Sequence, residues 1–93
     1  MIINKHILLS LQKKINMTDF KYNRIRVALA ERDLSNKWLA DRLGKTSMTV
    51  SRWVSNKSQP TVETLYEIAS ALNMEAKDLL TPVNDIDKKR ISK

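Results

Sequence analysis

The chain contains no cysteine, which removes disulfides, thiolate metal sites and cysteine nucleophiles together. Its one histidine, His6, stands in the N-terminal segment, so no metal cluster can be assembled around it. No Asp/Glu pair falls in an evident pocket, and with the other absences this makes an enzyme the poorest reading. No apolar run approaches the roughly 18 residues that a membrane span needs. Glycine occurs once and proline twice in 93 residues, and β-branched residues rarely alternate with period two. A sheet is therefore not expected, and the chain reads as ordered and mostly helical.

What is present fits one small domain. With 42% hydrophobic and 29% charged residues, the chain can fold a unit of about 60 to 70 residues with tails. The net charge is +7, and its placement is uneven. Residues 18–59 hold nine Lys and Arg against four acids, whereas 60–80 hold Lys77 against Glu63, Glu67, Glu75 and Asp78. A basic segment followed by an acidic one suggests one face aimed at a polyanion and another turned away from it.

Along the chain, Ile3, Ile7, Leu8, Leu11 and Ile15 fall on one side of a helix, so residues 1–17 read as an amphipathic segment: a dimerisation or membrane-touching arm, a helix added to the core, or a start site placed upstream of the real one. A first helix is expected from about Phe20 to Arg32, capped by Thr18 or Asp19, with Ile25, Ala28 and Leu29 inward. Asp33 then tolerates a positive φ. Ser35 caps a second helix, Asn36 to Leu43, which buries Leu39, Ala40 and Leu43 and ends at Gly44. Thr46 caps a third, Ser47 to about Val54, with Val50 and Trp53 inward and Asn56 as its left-handed terminator. Thr61, after Pro60, caps a fourth, Val62 to Leu72, with Leu65, Ile68, Ala69 and Leu72 inward. A short fifth, about Glu75 to Leu80, buries Leu79 and is stopped by Thr81-Pro82. The domain is thus 18–82, and 83–93 is a basic tail.

The stretch LADRLGKTSMTVSRW joins the second and third helices at the only glycine. Each is too short to stand alone, and Ala40 is small where the two would approach. An αα-hairpin used only for packing would carry strong helix formers on its outer face. The third helix instead presents Ser47, Met48, Thr49, Ser51 and Arg52, several of them weak helix formers. Short hydroxyls and one guanidinium suit the floor of a DNA groove, where bulk clashes and donors are needed.

Residues 21–81 resemble the phage-repressor/Cro type of helix-turn-helix domain, also called the xenobiotic-response-element or lambda-repressor-like type. The resemblance rests on the run from Leu34 through Leu43-Gly44, on Thr49-Val50-Ser51-Arg52-Trp53, and on Pro60 with ETLYEIASALNMEAKDLL. It implies an all-α fold of five compact helices, here with an extra N-terminal helix or arm. The chain departs from the pattern at Val54, where Glu is usual, at Asn56 and Asn73, where Gly is usual, at Asn36, where Gln is common, and at Lys45, often apolar.

Carried onto matching positions, the resemblance implies that the third helix lies in the major groove with Ser47, Met48 and Thr49 at base edges and Arg52 one turn later on a guanine. Asn36, Lys37, Lys45, Ser51, Asn56 and Lys57 would contact phosphates. Trp53 is expected in the core, and Trp38 half-buried against the first helix or the N-terminal segment. The implied partner is double-stranded DNA, bound by a cytoplasmic, nucleoid-associated homodimeric repressor with no cofactor, no metal and no membrane. Tyr66, Met74, Leu80 and Val83 are candidates for the dimer surface. The alternative is the antitoxin of a toxin–antitoxin pair, gripping a protein partner through residues 1–16 or 83–93.

Overall fold

The computed structural model describes residues 20–86. Among them are four α-helices, α1 (Ile25–Glu31), α2 (Asn36–Leu43), α3 (Ser47–Val54) and α4 (Val62–Leu72), followed by a 3₁₀ helix, Ala76–Leu79. A further helical turn lies at 83–86. No strand is present among the described residues; the one β-like feature is an isolated antiparallel bridge between Asn23 and Leu80.

Three helices begin as the hydroxyl caps dictate. Ser35 Oγ accepts the Trp38 N–H, Thr46 Oγ1 the Thr49 N–H and Thr61 Oγ1 the Thr64 N–H. Each satisfies one of the donors that a helix start leaves without an intrahelical partner. The four α-helices also end alike. Asp33, Gly44, Asn56 and Asn73 take φ of 56°, 69°, 62° and 56°. The residue after each sends its N–H back to a helix carbonyl: Leu34 to Leu29, Lys45 to Ala40, Lys57 to Arg52 and Met74 to Ala69, all at 2.9 Å. This left-handed closure turns the chain sharply enough to send one short helix back across another.

The first helix starts at Ile25 and not at Phe20. Residues ahead of it pair instead with the far end of the domain: Arg24 N–H donates to the Leu79 carbonyl and Thr81 N–H to the Tyr22 carbonyl. The Thr81 hydroxyl also donates to the Lys21 carbonyl. Asn23 Oδ1 accepts the Ile25 N–H, and the expected caps Thr18 and Asp19 lie outside the described residues. So does the amphipathic segment 1–17. The fifth helix is a single 3₁₀ element, shorter than expected, yet it buries Leu79 as the spacing requires.

The five elements meet in one core. The largest fully buried side chains come one from each: Ile25, Leu39, Val50, Ile68 and Leu79. Ala28, Leu29, Ala40, Trp53, Val54, Ala69 and Leu72 complete it, with Trp38, Leu43, Leu65 and Met74 half-buried against it. Val54 sits where the resemblance leads one to expect Glu, and its burial explains the departure: an unpaired carboxylate there would carry a large desolvation cost. Arg32 closes the side of the core, donating from Nε to the Leu72 carbonyl and from Nη1 to Ala28.

Asn56 corrects the sequence reading. It is 7% exposed, and its amide does not face outward. Oδ1 accepts the Asn23 N–H at 2.9 Å, and Nδ2 donates to the Asn23 carbonyl at 3.2 Å. Asn23 Nδ2 in turn donates to the Trp53 carbonyl and to Gln59 Oε1. This buried amide pair fixes the loop after α3 to the segment before α1.

Two stability outcomes are expected. A Cβ built on Gly44 meets nothing within 4 Å, so the penalty for a side chain there is conformational. Gly44→Val should cost at least about 1–2 kcal/mol, read as a melting temperature lower by roughly 4–8 °C per kcal/mol, whereas Gly44→Asn should stay close to the parent. Asn56→Gly keeps the left-handed turn but strands the Asn23 backbone groups, so urea unfolding should show a loss of about 1–3 kcal/mol. Asn56→Ala should lose more, because it adds the φ penalty.

Candidate nucleic-acid interface

The packing described above decides which side of α3 is free. Val50, Trp53 and Val54 face the core, and α3 packs more extensively on α2 than on any other described element. Ser47, Met48, Ser51 and Arg52 are left exposed, with Met48 at 74%. The Arg52 guanidinium has no ion-pair partner among the described residues. Thr49 is half-buried, and its hydroxyl accepts from Thr46 Oγ1 at 2.9 Å. Its own proton remains available to an outside acceptor.

The residues expected at phosphates fall into three groups. Asn36 opens α2 and shares a recess with Ser51, so the two are brought together across the α2–α3 pair. Lys45, in the turn, and Lys57, just after α3, are exposed and without acid partners among the described residues. Lys37 is exposed but pairs with Asp41 Oδ2 at 3.0 Å, one helical turn along. Such a surface pair is worth about 0–1 kcal/mol, little enough for a phosphate to replace. Asn56 stands apart, its amide enclosed by Asn23 and Gln59.

Sequence reasoning missed Arg26, Ser35 and Ser55, which line the same recess as Asn36 and Ser51. The phase of α1 shows that Arg26 points away from Ile25 and Leu29. It does not show that the crossing of α1 over α3 sets Arg26 beside Ser51. Trp38 is half-buried as expected, and the Arg42 guanidinium covers its ring at 5.5 Å from the centroid. Arg26 thus brings a positive charge from α1 to the recess that Asn36 and Ser51 share.

Of the candidate dimer residues, Tyr66, Leu80 and Val83 are exposed, whereas Met74 packs against the core. Of the segments through which a protein partner would be gripped, only 83–86 belongs to the described residues. No group of three potential ligands among the described residues could hold a metal ion. No described helix is long and apolar enough to cross a membrane.

Comparison with known proteins agrees with this geometry. The chain is similar to the protein in "Crystal structure of a putative DNA-binding protein from Bacteroides fragilis", at 47% identity and a TM-score of 0.64. The match covers 64% of this chain and 97% of that one. No curated protein matches the chain significantly. Residues 25–79, from the first residue of α1 to the last of the 3₁₀ helix, match the helix-turn-helix family model. On that match, which spans more than half of the sequence, the chain belongs to the helix-turn-helix family of the lambda-repressor, or xenobiotic-response-element, type.

Proposed function

We propose that the protein is a sequence-specific DNA-binding transcriptional regulator that acts as a repressor and binds as a homodimer. The observation that carries the proposal is the outward face of α3, where Ser47, Met48, Ser51 and an unpaired Arg52 project from a helix anchored by Val50 and Trp53. In this reading α3 lies in the major groove. Ser47 and Thr49 offer hydroxyls to base edges, Met48 meets a thymine methyl, and Arg52 makes a bidentate bond to guanine. Asn36, Lys37, Lys45, Ser51 and Lys57 hold phosphates on either side and set the register. The start of α2 adds backbone N–H groups and its partial positive charge.

One such domain touches only a few base pairs, so a dimer on two half-sites roughly 34 Å apart supplies the rest of the specificity. Leu80 and Val83, exposed at the end of the domain, suit a self-contact. Residues 18–82 are then the reading unit, with 1–17 and 83–93 as appendages.

Fluorescence anisotropy on DNA from upstream of the protein's own gene, beside random DNA of equal length, tests the proposal. Binding to the upstream fragment should survive a salt concentration that strips random DNA; equal, salt-erased binding to both would leave only a basic surface. Arg52→Ala should weaken the true site by about 5- to 150-fold, from roughly 1–3 kcal/mol, and relax one base position. Lys57→Ala should weaken true and random DNA alike and lower the salt slope by about 0.9. If Arg52→Ala weakened both DNAs equally, its base-reading role would be wrong.

A further inference from the structure

Between the start of α1, the loop after α3 and the turn at 83–86 runs a groove of about 600 Å³, within the roughly 300–1,000 Å³ of small-molecule sites. Its walls are chiefly apolar. Phe20 and Val54, both buried, line it together with Val27, Pro82 and Ile86. Val27 is 41% exposed, and neither the core nor the outward face of α3 uses it. The charges along the groove are unequal: Lys21, Arg24 and Arg26 against Asp85 alone. All four are exposed, and none has an ion-pair partner among the described residues. Cations in excess beside an apolar wall match one kind of ligand, an anion with an apolar body.

We propose that this groove binds a small organic carboxylate, its aryl or alkyl body on Val27, Val54 and Ile86 and its charge among Lys21, Arg24 and Arg26. A guanidinium fork matches a carboxylate in geometry as well as in charge. Other occupants fit the groove less well. A sugar–phosphate backbone would meet the cations but has no apolar body for the wall. The chain's own ends are basic: residues 1–19 hold Lys5, Lys13 and Lys14 against Asp19, and 87–93 hold Lys88, Lys89, Arg90 and Lys93 against Asp87. A second copy, at a net charge of +7, is basic too. Each would bring like charge to Lys21 and Arg24. Ser55 and Asn56 also line the groove and lead directly into Lys57, so an occupant would bear on the loop after α3.

The site does not depend on DNA binding, and its test uses the full chain free of DNA. Amide signals are followed by NMR as 1-naphthaleneacetate is titrated in, beside its neutral isostere 1-naphthaleneacetamide. The acid should shift Val27, Ser55, Asn56 and Ile86 saturably and leave Met48 and Tyr66 in place. It should bind roughly tenfold more tightly than the amide, the worth of one charge-assisted contact. Lys21→Gln with Arg24→Gln should abolish that preference; Arg26 is left intact because it also lines the recess of Asn36 and Ser51. Val27→Gln should weaken acid and amide alike. All three side chains are exposed, so the variants should keep the fold, which unchanged Val50 and Ile68 signals would verify. Three results would overturn the proposal. One is no saturable shift at the groove, including the case in which the chain's own ends already cover it. A second is equal binding of acid and amide, which would leave no selection for an anion. The third is shifts centred on Ser47 and Arg52, which would put the acid on α3.

Discussion

Everything in this domain depends on one core to which each of five elements gives a large, fully buried side chain. No described helix exceeds the 11 residues of α4, and isolated helices of that length are marginal in water. Ile25, Leu39, Val50, Ile68 and Leu79 come one from each element and are all fully buried. None of the elements therefore has a stable position until the others are in place. The cooperative unit is the whole set, including the 3₁₀ turn that carries Leu79. This is also why α3 can carry weak helix formers on its outer face. Its stability comes from Val50, Trp53 and Val54 on the inner side, so the outer positions are free to be chosen for what they touch.

A core of this size fixes helices but does not by itself fix loops. Here two polar devices do that. The Asn23–Asn56 amide pair holds the loop after α3, and with it the backbone of Lys57, against the segment before α1. The pairing of residues 21–24 with 79–81 then closes the two ends of the domain on each other. No buried side-chain polar atom among the described residues lacks a partner, the condition under which such a network rigidifies a structure and does not weaken it. The network therefore holds the loop that follows α3 in place relative to α3 itself.

The sequence was most legible where a cap and a terminator bracket a helix. Ser35 with Gly44, Thr46 with Asn56 and Thr61 with Asn73 set α2, α3 and α4 as observed. It was least legible where a long-range contact overrides local preference. Phe20 to Arg24 have a helical pattern, yet bonds to Leu79 and Thr81 draw them out of α1. Asn56 shows the same limit at the site: its left-handed turn is a local property and readable, whereas the partner of its amide lies 33 residues away. Arg26 was missed because helical phase gives a direction from the axis and not the identity of the neighbour. The outward face of α3 was readable for the opposite reason, since the exposure of Ser47, Met48, Ser51 and Arg52 follows from the phase of Val50 and Trp53 alone.

The separation of charge along the chain becomes a separation in space only through the fold. Arg26 shares a recess with Ser51 on the α3 side and Arg52 projects from α3 itself, while Glu63 and Glu67 are exposed on α4. A polyanion approaching the α3 side meets attraction, and the acidic α4 face disfavours an inverted approach. Orientation at encounter would then be set by charge before any base is read. In the proposed reading, the contacts of Ser47, Met48, Thr49 and Arg52 act only after that, at short range.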